Sequence, residues 1–194
     1  MLALVCFVFL VVFITGLRMT IQRIRTGDHG LRVAKQFRSK SARLALYLQL
    51  TAIGLFVLVL LLNALNLLNP HWDWGFAGSI FGLGTCAIGT ILTMIAQFQM
   101  GSSWRIGVDD SEQTELITKK LFSLSRNPIY VGVLLVGIGF VILVPHFTTM
   151  FCWLIAAMGI HLQVTRVEEP HLHRVFGDAY SDYRENVNRY FPTL

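Results

Sequence analysis

Five stretches of the sequence are apolar in the manner of helices that cross a lipid bilayer. A spanning helix needs about 20 apolar residues to cross a hydrocarbon core of roughly 30 Å. The predicted spans are Met1–Leu17, Leu44–Leu68, Gly75–Met100, Ile129–Val144 and Phe147–Val164. Only 14% of the 194 residues are charged, whereas about a quarter is usual in soluble domains. The sequence therefore predicts an all-α, polytopic integral membrane helical bundle.

The last two predicted spans form a hairpin, because only a short VPHF segment with Pro145 at its centre separates them. At about 1.5 Å per residue, Ile129–Val144 covers only about 24 Å. We therefore expect a short helix hairpin that does not reach the far surface fully. The first span, Met1–Leu17, has neither a basic N-terminal region nor a small-residue cleavage site, so we interpret it as a span rather than a signal peptide.

The basic residues indicate an orientation in the membrane. All 16 Lys and Arg residues lie in the first loop, in the segment 105–126 or in the tail 166–189, and the connections 69–75 and 144–147 contain none. Basic loops stay preferentially on the cytosolic side. We therefore expect the N-terminus outside and the C-terminus in the cytosol. The net charge of +5 fits an anionic lipid surface, and nothing in the pattern favours a nucleic-acid partner.

Cysteine and histidine spacing favours neither a disulfide framework nor a metal site. The three cysteines lie in three different predicted spans and include no CxxC pair, so we expect buried free thiols. His161, His171 and His173 lack the spacing of a catalytic zinc site. No metal is therefore expected.

Small residues recur in the third and fourth predicted spans. Gly78 and Gly82 form a GxxxG pair, followed by Gly84 and Gly89, and this pattern predicts close helix packing. The glycines of the fourth span are spaced less regularly. They either permit packing or let a ligand approach the backbone closely.

The tail after the last span carries an apolar stripe at helical spacing. Its members are Leu172, Phe176, Tyr180, Tyr183, Val187 and Tyr190. Gly177 is expected to interrupt this helix, and Asp178 to cap the part that follows. Two interpretations stay open: an amphipathic helix on the membrane or the bundle, and an aromatic roof over a site that opens toward lipid.

Polar residues are concentrated where the last two spans meet the cytosolic side. One group enters the fourth span: Arg126, Asn127, Pro128 and Tyr130. A second group follows the fifth span: Arg166, Glu168 and Glu169. Ionisable groups beside membrane spans are energetically unfavourable and often functional. In a tight hairpin Arg126 would lie near Glu168 and Glu169, either as a salt bridge at the bundle edge or as part of a functional site.

Three motif segments resemble one enzyme family. The segment SRNPIYVG (Ser125–Gly132), with TELITKKLF (Thr114–Phe122) before it and EEPHLHRVFGDAYSDYRENVNRYFP (Glu168–Pro192) after it, is similar to the isoprenylcysteine carboxyl methyltransferases and the related phospholipid N-methyltransferases. The length and topology resemble a prokaryotic, archaeal-type member. The resemblance covers about residues 100–192 and implies that residues 101–194 form the catalytic region. Residues 1–100 are predicted from their hydropathy to form three spans with a basic cytosolic loop, and the first two spans match the family only in hydrophobicity.

The resemblance also implies a cofactor and its contacts. S-adenosylmethionine would enter from the cytosol, leaving as S-adenosylhomocysteine, and a lipophilic or lipidated acceptor would enter from the membrane lipid. The residues implied to bind the cofactor are Glu115, Leu116, Ile117, Phe122, Asn127, Pro128, Tyr130 and Glu168. The family often has His at the position of Asn127 and Tyr at the position of Phe122. The substrate arginine of the eukaryotic enzymes corresponds here to Val164. Either Arg166 replaces it from one turn away, or the substrate differs.

Methyl transfer from a sulfonium is a displacement that mainly demands orientation. A carboxylate acceptor is already ionised and needs only a cation, for which Arg126 and Arg166 are candidates together with Arg105. An amine acceptor needs a base, and Glu168 and Glu169 are the available carboxylates. We take Arg126, Arg166 and Glu169 as catalytic candidates. An isoprenylcysteine-like carboxylate ranks first as the acceptor, and a phospholipid amine ranks second.

Two further hypotheses concern function. An NADPH-dependent sterol or isoprenoid reductase would need clustered cations for a 2′-phosphate, and Lys119–Lys120 is the adjacent pair in the relevant loop. A non-enzymatic lipid-binding protein would keep the pocket without turnover. Replacing Asn127 and Glu168 would leave that protein's function intact and would inactivate either enzyme.

Overall fold

The computed structural model describes residues 1–28, 39–72, 74–104 and 115–192, and within these ranges the chain is helical and contains no strand. The helices are α1 (Leu2–Thr26), α2 (Lys40–Ala64), α3 (Gly75–Gln99), α4 (Pro128–Leu143), α5 (Phe147–Phe176) and α6 (Asp178–Asn186). By length and composition α1, α2, α3 and α5 can cross a membrane, and α4 is a shorter apolar helix. The predicted all-α integral membrane fold is confirmed. The predicted cation Arg105 lies outside the described residues.

Three helices do not end where the predicted spans end: α2 stops at Ala64 rather than at Leu68, and α1 and α5 continue beyond their predicted spans. α1 runs past Leu17 to Thr26, and its polar second half continues the helix because its inner face is buried against the bundle. There Arg18 is fully buried, donates to the carbonyl of Gly101, and lies 5.0 Å from the ring centroid of Trp104. α5 does not end at Val164, because a π-helical turn carries it on to Phe176. The second arm of the hairpin is therefore long.

Glycines bring α3 and α4 into backbone contact. A Cβ atom on Gly82 would lie 3.0 Å from the carbonyl oxygen of Gly139, and one on Gly89 would lie 2.6 Å from that of Gly132. No larger side chain fits at such separations, so these glycines allow the two helices to approach closely. Of the two interpretations for the α4 glycines, packing is the one that the contacts at Gly132 and Gly139 support.

The two connections without basic residues meet at one end of the bundle. The backbone N–H of His71 donates to the carbonyl of Pro145 at 3.0 Å, and the ring centroids of His71 and His146 are 3.9 Å apart. Between this end and the polar end, Phe7 of α1 packs with Phe56 of α2 and Phe140 of α4 in the core. The cytosolic assignment of the opposite end remains a prediction.

The tail packs on the bundle. Gly177, at a φ of +53°, separates α5 from α6 as predicted. Gly177 itself occupies the N-cap position, so the prediction that Asp178 caps α6 is wrong, and Asp178 is the first residue of the helix. Tyr180 and Tyr183 are buried, and the Tyr183 hydroxyl donates to the carbonyl of Phe122. The aromatic stripe therefore covers the segment that leads into α4.

Candidate functional site

A buried ion-pair cluster joins the entrance of α4, the C-terminal part of α5 and the tail. Nη2 of Arg126 lies 2.7 Å from Oε1 of Glu169. Arg189 donates to the same carboxylate from Nε to Oε1 at 2.9 Å and from Nη2 to Oε2 at 2.8 Å. The side chains of Arg126 and Glu169 are only 7% and 9% exposed. The predicted neighbourhood of Arg126 and Glu169 is present, and both oxygens of Glu169 are occupied by arginines.

The guanidinium of Arg126 also holds the tail backbone. Its Nη1 donates to the carbonyls of Arg184 at 3.0 Å and Val187 at 2.5 Å, and its backbone N–H donates to the carbonyl of Asn188 at 3.0 Å. These contacts connect three tail carbonyls to a single residue. The geometry favours an architectural role for Arg126, and its direct participation in catalysis stays a prediction.

Asn127 is fixed at the N-terminus of α4. Its Nδ2 donates to the carbonyl of Arg189 at 3.1 Å, and the hydroxyl of Ser125 donates to the same carbonyl at 3.1 Å. Pro128 follows as the first residue of α4, a position where its missing N–H leaves no hydrogen bond unmade. In the part of the chain that the structure describes, the side-chain carbonyl of Asn127 receives no hydrogen bond, so it is available to a ligand.

Glu168 is held through one oxygen. The hydroxyl of Tyr130 donates to Oε1 at 2.5 Å, and Nε2 of Gln163 donates to the same atom at 3.2 Å. Gln163 and Glu168 are five residues apart, and the π turn Val164–Glu168 brings this spacing onto one face of the helix. From the described residues Oε2 accepts no hydrogen bond. A half-buried carboxylate with one free oxygen fits a ligand that carries an ammonium group.

Tyr190 connects the tail to the membrane-spanning part of α5. Its hydroxyl lies 3.3 Å from Nδ1 of His161. Burial raises the pKa of Tyr190, Arg189 lowers it, and the carboxylates of Glu169 and Glu168 raise it. The charges of both carboxylates therefore contribute to the raised pKa of Tyr190.

The remaining predicted residues are distributed around this cluster. Leu116 packs against Tyr180 and Tyr183, where burial raises the pKa of Tyr180 to about 12. Phe122 is buried below the same tyrosines. Ile117 is half-buried and Glu115 is exposed.

Arg166 lies on the π turn with an exposed side chain and makes no hydrogen bond or ion pair with the described residues. The structure does not bring it to the cluster. Its proposed replacement of a substrate arginine stays a prediction.

Several cluster members were not identified from the sequence. Arg189 was one basic tail residue among four, and no spacing distinguished it. Gln163 carried a signal, since it is a polar residue at the end of an apolar span. The sequence position of His161 carries no signal of its contact with Tyr190, and among the described residues no group of three or more potential metal ligands is found.

Comparisons with known proteins add a family and a fold. The family model of phospholipid methyltransferases matches residues 77–179, which is more than half of the chain. The chain is 27% identical over 130 residues to protein-S-isoprenylcysteine O-methyltransferase of Schizosaccharomyces pombe, covering 64% of this chain and 55% of that protein. It is 28% identical over 122 residues to protein-S-isoprenylcysteine O-methyltransferase A of Arabidopsis thaliana, covering 62% and 60%. The chain thus spans under two thirds of the length of these relatives.

A solved structure shares the fold. It is the eukaryotic intramembrane Ras methyltransferase, isoprenylcysteine carboxyl methyltransferase, determined without a monobody. The TM-score is 0.57 at 22% sequence identity, and the match covers 92% of this chain and 61% of that one. The likeness extends over the first helices, which the family model does not reach.

Proposed function

Because the chain belongs to the phospholipid methyltransferase family, we propose that it is an integral membrane methyltransferase that uses S-adenosylmethionine to methylate a lipid-borne acceptor. The observation that carries this proposal is the carboxylate of Glu168, whose Oε1 is fixed by Tyr130 and Gln163 while Oε2 is free of hydrogen bonds from the described residues. A carboxylate with one oxygen fixed and the other free can accept a hydrogen bond from the ammonium group of the cofactor's amino-acid part.

The other predicted contacts would complete the cofactor site. The side-chain carbonyl of Asn127 is a second acceptor, and the N-terminus of α4 supplies a positive dipole end. Segment 115–117 and the ring of Phe122 would form the wall of the cofactor site beneath the tail. When bound, S-adenosylmethionine supplies an electrophilic methyl group on a sulfonium. The chain's own residues orient it, and the buried tyrosines of α6 exclude water from one side.

Glu169 and Arg126 act on this site indirectly. Their ion pair holds residues 184–189 across the entrance of α4, and this keeps Asn127 and Tyr190 in position. We therefore assign both residues to positioning rather than to contact with the methyl group.

The acceptor is a carboxylate in the first proposal and a phospholipid amine in the second. The relatives in fission yeast and Arabidopsis are named for isoprenylcysteine O-methylation, which favours the carboxylate. The family model is named for phospholipid methyltransferases, which favours the amine. Methyl transfer from radiolabelled S-adenosylmethionine to an S-farnesylcysteine derivative and to phosphatidylethanolamine, in parallel, separates the two.

We also propose that the polar end of the bundle faces the cytosol, with the N-terminus outside, and that residues 101–194 carry the catalytic region. The support for this orientation is that connections 69–75 and 144–147 contain no basic residue and meet at the other end. The cofactor would then enter from the cytosol and the acceptor from the cytosolic leaflet.

Calorimetric binding of S-adenosylhomocysteine to the detergent-purified protein tests the cofactor class. We expect specific binding in the wild type, a loss of at least tenfold in Glu168→Gln, and no change in Glu185→Gln, which removes an exposed carboxylate from α6. NADPH is the control ligand and would bind instead if the protein were a reductase. A folded protein that binds neither nucleotide would support the lipid-binding hypothesis.

A further inference from the structure

His161 is an outward-facing imidazole on a membrane-spanning helix. It lies roughly 21 Å along α5 from Phe147, inside the predicted span Phe147–Val164. Its side chain is exposed on the protein surface. A polar side chain at this depth is unfavourable in lipid and usually marks a functional site.

The position of His161 links it to the Glu168 site. Both residues belong to α5, with His161 roughly 10 Å nearer the membrane centre. Tyr190 of the tail contacts His161, because its hydroxyl lies 3.3 Å from Nδ1 of that ring. Its neighbour Arg189 is fixed by two hydrogen bonds to Glu169. His161 thus lies nearer the membrane centre than Glu168, whose carboxylate we assign to cofactor binding.

We infer that His161 and Tyr190 form the recognition site that holds the carboxylate head of the lipid-borne acceptor. The inference rests on the proposed function. In this arrangement the Tyr190 hydroxyl, 3.3 Å from Nδ1, would donate to that atom, and the ring would carry a proton on Nε2. Nε2 would then be a donor. Since Nε2 has no partner among the described residues, it is available to a carboxylate oxygen and is unsuited to an ammonium group.

The reaction at such a site needs no base. One oxygen of the acceptor carboxylate forms a bond to the methyl carbon, and the carbon–sulfur bond breaks with its electron pair left on sulfur. The products are a methyl ester and a thioether, and no proton moves. A hydrogen-bond donor that holds the second carboxylate oxygen therefore supplies orientation, which is the main demand of this displacement.

The test compares His161→Leu, His161→Gln and Tyr190→Phe with the wild type in lipid nanodiscs. The acceptor is an S-farnesylcysteine derivative with a free carboxylate, and its carboxamide serves as a competitive inhibitor. We expect His161→Leu to raise the acceptor KM roughly tenfold with little change in kcat, as for the loss of one hydrogen bond to a charged group. His161→Gln, which retains an N–H donor, should recover part of this loss, and Tyr190→Phe should show a smaller rise.

Inhibition gives a second readout. In the wild type the carboxamide should compete less well than the carboxylate, and this preference should shrink in His161→Leu. His173→Leu is the matched control, because His173 is an exposed histidine at the cytosolic end of the same helix. It should leave the acceptor KM unchanged.

The outcomes separate this inference from the proposed function. If the wild type binds S-adenosylhomocysteine and methylates the carboxylate while His161→Leu keeps its KM, the inference is wrong and the proposed function stands. If the wild type methylates only a phospholipid amine, the inference is wrong as well. If the wild type binds no S-adenosylhomocysteine, both fail.

Discussion

The Glu169→Gln substitution should destabilise the protein strongly without removing the cofactor site. The carboxylate accepts three hydrogen bonds, of 2.7, 2.9 and 2.8 Å, from Arg126 and Arg189. A glutamine keeps one acceptor oxygen and turns an N–H group toward one of the arginines. Arg126, whose side chain is 7% exposed, would remain as a buried cation without its counter-charge.

The size of the effect follows from this burial. Removing one partner of a buried ion pair costs about 3–5 kcal/mol. Because the Arg189 side chain is 34% exposed and can turn to solvent, we expect the lower end, about 3 kcal/mol. In a chain of this size that corresponds to a decrease in Tm of about 6–12 °C. The control Glu185→Gln removes an exposed carboxylate and should change Tm by less than about 2 °C.

The assay is thermal unfolding of the detergent-purified variants, combined with hydrogen exchange of the tail. Exchange should accelerate in residues 184–190, because Arg126 holds their carbonyls from the same cluster. Below its Tm, Glu169→Gln should still bind S-adenosylhomocysteine, since Glu168 keeps its contacts with Tyr130 and Gln163. A Tm equal to that of Glu185→Gln would refute the argument. A folded Glu169→Gln protein that loses all cofactor binding would show instead that the cofactor site depends on the ion pair of Glu169.

Two further predictions concern helix packing and orientation. Gly89→Ala places a Cβ atom 2.6 Å from the carbonyl oxygen of Gly132 and should lower the free energy of unfolding by about 1–3 kcal/mol. Gly54→Ala is the control, because a Cβ atom there has open space, and it should be neutral. Thermal unfolding of both variants tests the prediction. In a cysteine-free background, His71→Cys should react with a membrane-impermeant maleimide in intact cells, and Glu185→Cys should react only after permeabilisation. Labelling in the reverse order would overturn the proposed orientation.

The sequence by itself determined the membrane architecture. Apolar runs of spanning length and loops that contain or lack basic residues are local properties, and they can be read without knowing which helices touch. The segment at Ser125–Gly132 and the one at Glu168–Pro192 were likewise sufficient to indicate the family. Two helices continue beyond the predicted spans because polar residues do not end them: α1 passes Leu17 along a buried face, and α5 passes Val164 through a π turn.

Only the tertiary structure decided which polar groups work together. Glu168 and Glu169 are neighbours in the chain, yet one is held by Tyr130 and Gln163 and the other by two arginines. The π turn places Gln163 within hydrogen-bonding distance of Glu168. The tail returns across the entrance of α4 and places Arg189 beside Glu169. His161 contacts Tyr190, which is distant in the sequence. Such pairings depend on the path of the folded chain and on the rotation of each helix about its axis. Neither is a local property of the sequence, because polar groups that are far apart in the chain must be close in space to make contact.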